Sequence, residues 1–405
     1  MPMKALILSC GTGGGHNEAG KAVCEALRLR GHEAVFFKDY LRLAGKRTDQ
    51  VVCNLYVKSV SSFPPAFQAA YALGRGVSSL NRLRIKSPVY YMNGLVGRPL
   101  EEFLQKGGFD VVVMPHLFPA ETFTKLKNKG LPLPLTVAIG TDYTCIPFWE
   151  ETNCDYYVLP HADCAADFER RGLPKEKLVP LGIPVPLAYS QREDKQAVRA
   201  RLGLQEQGKY LLVMGGSMGA GNLPELVRAI QGECQRQSTE ATIFVVCGSN
   251  RRLFSALLEA FRGDPAVRVK SYLENIADYM KACDLLFTKP GGLTTTESAV
   301  TRIPTVLLEP IYHVEVLVPD EYMGDIIGDM NKRRGRIIGM EQCEGGQKII
   351  AEAPLSEMFK YATDLRSMTQ AWGRFTMTFE RYEEVPADVA KKVIASADKV
   401  VDDDE

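Results

Sequence analysis

The sequence predicts two α/β units of the Rossmann type followed by a smaller α+β unit with the element order βαββαβ. Near the start, over residues 4–29, an apolar strand leads into a glycine loop and a helix, and the same pattern returns over residues 209–230. From residue 306 onward the periodicity changes to four strands with two helices between them, which is typical of a ferredoxin-like unit. A chain of 405 residues is long enough to bury two or three separate cores.

The composition is that of an ordinary soluble globular protein, with 45% hydrophobic and 24% charged residues. No apolar run approaches the roughly 18 residues of a membrane-spanning helix, and the short apolar start runs directly into a glycine loop, unlike a signal peptide. The ten cysteines form no Cys-x-x-Cys pair and the five histidines are scattered, so no metal site is expected. These features predict a cytoplasmic protein.

The formal charge sums to zero but divides along the chain. Residues 306–405 contain 20 acidic and 12 basic residues, whereas residues 1–305 contain 29 acidic and 37 basic ones, which indicates units with different partners. No acidic residue lies between Asp49 and Glu101, while six basic residues are interspersed there with aromatic and aliphatic ones: Lys58, Arg75, Arg82, Arg84, Lys86 and Arg98. This stretch is either a surface that rests on anionic lipid headgroups or a solvated helical connection whose apolar residues face the core.

In the first unit, the strand over residues 4–9 is followed at once by GTGGGH and then by a helix over residues 17–29. Glycines at such a turn let the chain approach a ligand closely, and here they are Gly13, Gly14 and Gly15. The loop is not a P-loop, because no Gly-Lys-Ser/Thr follows it. His16 lies where the helix start meets the crevice above the sheet, and is either an acid/base group or a helix-start residue without chemistry.

Three further strands are predicted in this unit, over Val111–Met114, Leu135–Ile139 and Tyr156–Leu159. Polar or aromatic residues follow them, and Asp142 belongs to the segment after the second of the three. Loops at the carboxyl ends of parallel strands are where such folds bind ligands. The polar run over residues 191–201 is interpreted as an exposed linker helix that leaves this unit.

The second unit contains two glycine turns of this kind. A strand over residues 209–214 leads into GGSMGAGN and a helix, and a later strand leads into TKPGGLTTTES, a proline–glycine turn that opens another helix. Backbone amides at such turns, together with the dipole of the following helix, suit a diphosphate. Glu297 lies one to two turns into the second helix, where it can accept hydrogen bonds from a ribose. The alternative interpretation is a plain capped helix.

Five motifs occur in the order found in one family: GTGGGH, Thr141-Asp142-Tyr143 with Trp149, GIPV, MGGSMGAGN and KPGGLTTTESA. On these motifs, residues 1–310 resemble the monogalactosyldiacylglycerol synthases and the processive diacylglycerol glucosyltransferases, relatives of the peptidoglycan glycosyltransferase MurG. The resemblance implies the GT-B architecture, in which two Rossmann-like domains face each other across a cleft. It also implies inverting, metal-independent transfer of a hexose from UDP-glucose or UDP-galactose to diacylglycerol, without a cofactor, by a peripheral enzyme on the cytoplasmic face of the membrane.

The resemblance also assigns residues to the site. It implies a diphosphate-binding turn, formed by Gly215, Gly216, Ser217 and Gly219. It also implies a second donor turn, formed by Gly291, Gly292, Leu293 and Thr294. Glu297 would hold the ribose, and the glycine loop of the first unit would face the acceptor. His16 would be the acid/base group next to the acceptor hydroxyl, with Asp142 as the competing base. Plant-type members carry an acid just before the glycine loop, where this chain has Cys10 and Gly11, so the identity of the base stays open.

The third unit is predicted as strands over residues 306–318, 336–343, 347–353 and 373–381, with helices over residues 320–333 and 355–369. The strings EYMGDIIGDMNKRRGRI, PLSEMFKYATDLRSMTQ and YEEVP resemble the C-terminal domain, domain V, of translation elongation factor G. This resemblance implies contact with the ribosome, but no GTP hydrolysis because the sequence contains no P-loop. A last helix over residues 387–397 precedes an acidic tail, and DNA is not expected as a partner.

We therefore expect a chimera joined within residues 306–311. Its parts would be an acceptor- and membrane-facing domain over residues 1–190, a truncated UDP-sugar domain over 191–310, an elongation factor-like domain over 306–398, and a tail over 399–405. The truncated sheet would lose edge strands, and one long strand would serve two sheets poorly, so we expect weak stability and impaired transfer. Two other outcomes stay open, a ribosome-associating fragment without GTPase activity and a non-functional fusion.

Overall fold

The computed structural model describes residues 2–11, 14–44, 96–216, 222–343, 345–358 and 361–386. Several sequence predictions fall outside the described residues, namely most of the basic and aromatic stretch, Gly13, Ser217, Gly219, the last helix and the acidic tail. Within the described part, the chain forms two sheets flanked by helices. The predicted fold class, a pair of Rossmann-like units followed by a βαββαβ unit, is confirmed.

The first unit is a six-stranded parallel sheet with helices on both faces. Its elements are β1 (Lys4–Leu8), α1 (Gly14–Leu29), β2 (Glu33–Phe37), α2 (Gly97–Gly107), β3 (Val111–Met114), α3 (Leu117–Asn128), β4 (Leu135–Ile139), β5 (Tyr156–Leu159), α4 (Ala165–Arg170) and β6 (Leu178–Pro180). The strand order is β2-β1-β3-β4-β5-β6. Ala5 and Ile7 pack on the side of α1, and Leu6 and Leu8 pack on the side of α2 and α3. Burial of both faces explains why these strands are continuous apolar runs.

The second unit is also a parallel sheet covered on both faces. Its elements are α5 (Leu187–Ser190), α6 (Lys195–Arg201), β7 (Tyr210–Met214), α7 (Leu223–Arg236), β8 (Thr242–Val246), α8 (Arg251–Ala260), β9 (Val267–Lys270), α9 (Ile276–Ala282), β10 (Leu285–Thr288) and α10 (Gly292–Thr301). The predicted helix is present as α6, and the residues over 191–201 are exposed except for Val198 and Arg199. Arg199 is buried, and its Nη2 donates 2.9 Å hydrogen bonds to both carboxylate oxygens of Asp284. This ion pair fixes α6 to the second unit.

The third unit has the predicted βαββαβ order. Its elements are β11 (Thr305–Val318), α11 (Met323–Lys332), β12 (Arg336–Cys343), β13 (Gly346–Pro354), α12 (Tyr361–Met368) and β14 (Arg374–Glu384). The strands are antiparallel in the order β12-β13-β11-β14. Both helices cover one face of this sheet, where Val314 and Val316 pack with Ile326 and Leu365.

One strand, β11, belongs to both the second and the third unit. Its residues 305–307 pair in parallel with β10, residues 308–317 pair with β14, and residues 311–318 pair with β13. Pro310 lies between the last residue paired with β10 and the first paired with β13, a place where the missing N–H of proline is tolerated. Next to it, the buried carboxylate of Glu309 accepts hydrogen bonds of 2.8 and 2.7 Å from Arg334.

The prediction that the truncated sheet has an unpaired edge is wrong at β11. Successive residues of a strand direct their N–H and C=O groups to opposite edges. Leu286 of β10 donates to Pro304 O at 2.9 Å, whereas Val385, just beyond β14, donates to Leu307 O at 2.8 Å. Since residues 304 and 307 face opposite edges, β14 runs along the edge of β11 that faces away from β10. A strand of the third unit thereby continues the pairing of β11 directly after the residues that pair with β10.

Candidate functional site

A cavity of about 380 Å³ lies between the first and second units, at the carboxyl ends of their strands. Its wall includes Gly14 and Gly15 at the start of α1, Gly216 after β7, and Leu293 and Thr294 at the start of α10. Parallel α/β sheets bind ligands at this end because loops and helix N-termini converge there. The structure thus brings glycine-turn residues from both units to one cavity.

His16 lies in the first turn of α1, because the helix begins at Gly14, three residues earlier than predicted. Its Nδ1 lies 2.8 Å from Pro115 O and 2.9 Å from Thr141 Oγ1. A carbonyl oxygen only accepts hydrogen bonds, so Nδ1 carries the proton and Nε2 keeps its unshared electron pair. Burial lowers the pKa of His16, which makes the imidazole neutral at pH 7 and able to accept a proton at Nε2.

Asp142, the competing base, lies in the segment after β4 and interacts electrostatically with His16. The surrounding protein raises the pKa of the Asp142 carboxyl, and His16 acts in the opposite direction. In return, the Asp142 carboxylate partly offsets the effect of burial on the pKa of His16. A carboxylate in this position stabilises the imidazolium that forms when His16 takes up a proton.

His116 is a neighbour of the candidate base that the motif analysis did not single out. Its ring packs edge-on against His16, with the centroids 4.5 Å apart, and its Nδ1 accepts a 3.1 Å hydrogen bond from Phe118 N–H at the start of α3. Burial and the nearby His16 lower the pKa of His116 well below its ordinary value, so this ring stays neutral. It packs against His16 but does not line the cavity. Its position two residues after the parallel strand β3 could have marked His116 as a candidate site residue.

Two buried oxygens near the glycine loop have no hydrogen-bond partner within the described ranges: Ser9 Oγ and Asn17 Oδ1. Ser9 follows β1, and Asn17 follows His16 in α1. Buried polar atoms are nearly always satisfied, so these two orphaned oxygens are candidates for contact with hydroxyl groups of a ligand, although neither residue lines the cavity. No sequence pattern points to either residue.

The two units touch at the second donor turn. A Cβ atom on Gly292 would lie 2.2 Å from Thr141 O, so only glycine fits at this contact. Beside it, Tyr143 donates a 2.8 Å hydrogen bond to Thr296 Oγ1, whose own proton is donated to Gly292 O. The second donor turn therefore lies directly against the loop that follows β4.

Glu297, predicted to hold the ribose, is buried in α10 and lines the cavity. Burial raises the pKa of its carboxyl to about 7, with a further contribution from Glu18 of α1, while a hydrogen bond donated by Tyr189 acts in the opposite direction. Tyr189 lies in α5, between the two units, and the motif analysis missed it. The carboxyl of Glu297 is therefore poised to change its charge near neutral pH.

Lys289, separated from the second donor turn by Pro290 alone, is also a residue that the motif analysis missed. Its Cε lies 3.4 Å from the position that a Cβ atom on Gly216 would occupy. The surrounding protein lowers the pKa of its ammonium, and no residue in the described part of the chain forms an ion pair with it. An unpaired cation beside the diphosphate turn can neutralise charge on a phosphate. The KPGG motif, which contains Lys289, could have marked this residue as part of the candidate site.

The other motif residues shape the turn after β7 or pack in the core of the first unit. Gly216 has a φ of 76°, which favours glycine, and Gly215 joins it to β7. Trp149 is buried in the core of the first unit against Tyr157, with ring centroids 6.2 Å apart, and does not line the cavity. Among the described residues, no group of His, Cys, Asp and Glu is arranged to hold a metal ion. None of the described helices has the length and apolar composition needed to span a bilayer.

Three regions of the chain match known families. Residues 16–185 match the family described as monogalactosyldiacylglycerol (MGDG) synthase, and residues 210–310 match the glycosyltransferase family 28 C-terminal domain. Residues 306–393 match the elongation factor G C-terminus. The last two matches overlap over residues 306–310, within β11.

Among solved structures, the crystal structure of ttk003000868 from Thermus thermophilus is 27% identical over a match that covers 38% of this chain and 25% of that chain, with a TM-score of 0.23. The chain thus spans a quarter of the length of that protein. The family matches confirm the predicted combination of units. The chain joins two glycosyltransferase-family regions, one of them related to MGDG synthases, to an elongation factor G C-terminal region through the shared strand β11.

Proposed function

We propose that the chain transfers a hexose from UDP-glucose or UDP-galactose to diacylglycerol, with inversion at the anomeric carbon. The observation that carries this proposal is the position of His16, whose Nδ1 is held by Pro115 O and by Thr141. Thr141 also contacts Gly292 of the second donor turn, so the candidate base of one unit lies next to the donor turn of the other. Such an arrangement lets a base and an activated sugar meet in one cleft.

In the proposed reaction, His16 Nε2 accepts the proton of the acceptor hydroxyl while that oxygen bonds to the anomeric carbon. On the opposite face of the sugar, the bond between the anomeric carbon and the UDP oxygen breaks, and UDP leaves with the electron pair. The Asp142 carboxylate stabilises the imidazolium that results. A single displacement of this kind inverts the configuration at the anomeric carbon.

The charge that develops on the departing diphosphate is stabilised by the chain itself. Backbone amides at Gly216 and the N-terminus of α10 present partial positive charge to the cavity. Lys289 adds an ammonium group that forms no ion pair within the described part of the chain. Groups that are fixed before the reaction cost no reorganisation when the charge appears, which is the main source of electrostatic catalysis.

We propose that the nucleoside lies in the same cavity, with its ribose hydroxyls donating hydrogen bonds to Glu297. The ionised carboxylate is the better acceptor, and ribose binding should therefore lower the pKa of Glu297 from about 7. Tyr189 fixes the orientation of the carboxyl from the segment between the two units.

Diacylglycerol as the acceptor is supported by the match of residues 16–185 to the MGDG synthases. The basic and aromatic composition between Asp49 and Glu101 supports docking of the first unit on an anionic membrane surface, on the cytoplasmic face. The orphaned Asn17 Oδ1 would then accept a hydrogen bond from the glycerol part of the acceptor, and the Ser9 hydroxyl would accept or donate one.

The test is incorporation of labelled hexose from UDP-glucose and UDP-galactose into vesicles that contain diacylglycerol and anionic phospholipid. We expect a labelled glycolipid with one of the two donors, and no product with either donor would overturn the proposal. His16→Gln and Asp142→Asn, assayed side by side, identify the base. The proposal expects the larger loss in His16→Gln, and the reverse order would assign the base to Asp142.

Association with the ribosome through the third unit is a second candidate function, supported by the match of residues 306–393 to the elongation factor G C-terminus. Cosedimentation with purified ribosomes tests it independently of the sugar donor. Cosedimentation that is lost when excess elongation factor G competes for the ribosome would support it, and no cosedimentation would rule it out.

A further inference from the structure

Thr141 touches both the candidate base and the second donor turn. Its hydroxyl oxygen lies 2.9 Å from His16 Nδ1, and its backbone oxygen lies 2.2 Å from the position that a Cβ atom on Gly292 would occupy. Thr141 itself is buried, with 6% of its surface exposed. One residue of the first unit thus lies between the candidate base and a turn of the second unit.

We propose that Thr141 is a positioning residue that orients His16 according to the position of the second donor turn. The inference rests on the proposed function, in which His16 takes up the proton of the acceptor. It goes beyond that function by making the base competent only when the donor turn lies against Thr141. Activation of the acceptor would then depend on a seated donor turn, which limits loss of the activated sugar to water.

The first link is a hydrogen bond that is shared at His16 Nδ1. The ring carries one proton there, and two oxygens lie within reach of it, Pro115 O at 2.8 Å and Thr141 Oγ1 at 2.9 Å. Both oxygens accept from this N–H, in a three-centre bond. Hydrogen bonds are stronger when the donor is charged, so the Thr141 hydroxyl stabilises the imidazolium more than the neutral ring. Because Pro115 and Thr141 follow different strands, β3 and β4, the two bonds also fix the orientation of the ring.

The second link is the close contact at Gly292. Cβ atoms essentially never lie within 3.0 Å of another heavy atom, so a methyl group at Gly292 must widen the 2.2 Å gap to Thr141 O to at least that distance. The 2.9 Å bond from Thr141 to His16 is lost once it lengthens beyond about 3.5 Å. A displacement of the donor turn that reaches Thr141 is therefore large enough to release the ring of His16.

Two titratable groups face His16, Asp142 from the segment after β4 and His116 from the segment after β3. Asp142 raises the pKa of His16 against the larger effect of burial, whereas His116 stays neutral because burial holds its own pKa well below the usual value. An effect of Thr141 on the pKa of His16 that persists in an Asp142→Asn background is therefore due to the hydroxyl and not to a displaced carboxylate.

The test is a double-mutant cycle on the pKa of His16, measured by NMR on the full chain with isotope-labelled histidine. Thr141→Val removes the hydroxyl and keeps the shape and backbone, and should lower this pKa by about 1. Gly292→Ala should also lower it, but should have little further effect in the Thr141→Val background. The control is Thr122→Val, at a buried threonine of α3 whose hydroxyl donates a 3.2 Å bond to Phe118 O, and it should leave the pKa unchanged.

Hexose transfer provides a second readout. Thr141→Val should lower kcat about three- to tenfold and leave the affinity for UDP unchanged, because the residue acts on the base and not on the donor. Thr141→Ser restores a hydroxyl at the same position and should recover most of the rate. Thr122→Val should transfer hexose at the normal rate.

An unchanged pKa of His16 or an unchanged kcat in Thr141→Val would overturn the proposal. Additive effects of Gly292→Ala and Thr141→Val on the pKa would overturn it as well, because the donor turn would then act on the base by another route. Absence of hexose transfer by the unmodified chain would instead overturn the proposed function. The pKa cycle does not depend on transfer, so it still decides whether Thr141 links the donor turn to His16.

Discussion

The chain contains two junctions that are built in different ways. Between the first and second units, the contacts are local, such as the hydrogen bond from Tyr143 to Thr296 and the close approach of Gly292 to Thr141 O. Between the second and third units, β11 passes without interruption from one sheet into the other. The first junction can open by losing a few side-chain contacts, whereas the second can open only if a sheet unfolds.

The two junctions differ in what they contain: the candidate site lies at the first, and structural pairing forms the second. An enzyme that binds a nucleotide sugar and releases UDP needs a cleft that opens, and lasting contacts across it would hinder turnover. The candidate base, the donor turns and the titratable Glu297 all lie at the junction that can open. The continuous junction carries instead the ion pair of the buried Glu309 with Arg334, and the pairing of β14 with β11.

The largest expected effect comes from removing the base at the cleft. His16→Gln should lower the rate of hexose transfer by about 100- to 10,000-fold, because general base catalysis is lost. UDP affinity and melting temperature should change little. His32→Gln, a histidine at the surface whose Nδ1 accepts a 3.3 Å bond from Met3 N–H, is the control and should transfer hexose at the normal rate. Transfer by His16→Gln within a factor of about two of normal would contradict the assignment.

The second largest effect is expected from a substitution that forces the two units apart at the second donor turn. In Gly292→Ala the new Cβ atom would lie 2.2 Å from Thr141 O, so the second donor turn must move away from the loop after β4. We expect kcat/KM for the donor to fall about 10- to 100-fold, as for displacements of reacting groups by about 1 Å. Gly232→Ala in α7 is the control, since no neighbouring atom lies within 4 Å of its added Cβ and the residue belongs to neither donor turn. Equal rates in the two variants would show that contact at Gly292 is not needed.

A smaller effect, on stability rather than rate, is expected at the continuous junction. Glu309→Gln breaks the paired hydrogen bonds to Arg334, which keeps a 3.1 Å bond to Glu357. The free energy of unfolding in urea should fall by about 1–3 kcal/mol, the usual cost of leaving a buried charged group poorly paired. Glu315→Gln, on the same strand but more exposed and only weakly paired at 3.6 Å and beyond, should change it by less than about 0.5 kcal/mol. A similar loss of unfolding free energy in both variants would contradict a stabilising role for the ion pair of Glu309 with Arg334.

The smallest expected effect is a pH dependence of donor binding. Burial raises the pKa of Glu297 from 4.5 to about 7, so the folded chain binds this proton more tightly than the unfolded chain. Protonation of Glu297 therefore stabilises the folded chain. This contribution is complete below the unfolded pKa of 4.5 and is lost as the pH rises through the folded pKa of about 7. UDP, which favours the ionised form, should bind a few-fold more tightly at about pH 8 than at about pH 6, with release of a proton. Glu297→Gln should abolish the change, and a pH dependence that survives this substitution would assign it to another group.

Much of this arrangement could be predicted from the sequence, because local patterns encode it. Apolar runs followed by glycine turns predicted both parallel sheets, and alternating patterns after residue 306 predicted the βαββαβ unit. Motifs also pointed to Gly216, Gly292 and Glu297, which the structure places near one cleft.

What could not be predicted depends on contacts between distant segments. His116 meets His16, and Lys289 lies beside Gly216, only after the sheets have formed. The hydrogen bond from Asn222 to Tyr382 of β14 joins residues that are 160 positions apart. The expectation of an unpaired edge failed because it considered only which strands of the second unit were missing, and not that a strand of the third unit could replace them.

The most direct test of the account is calorimetric titration of UDP into the full chain, together with a thermal melt. If the third unit completes the donor sheet, UDP should bind at one site with micromolar affinity and raise the melting temperature of a sharp transition. No binding, with a broad or absent transition, would contradict this. It would mean that the shared strand does not sustain the donor site, and that residues 1–310 retain only the fold of a glycosyltransferase.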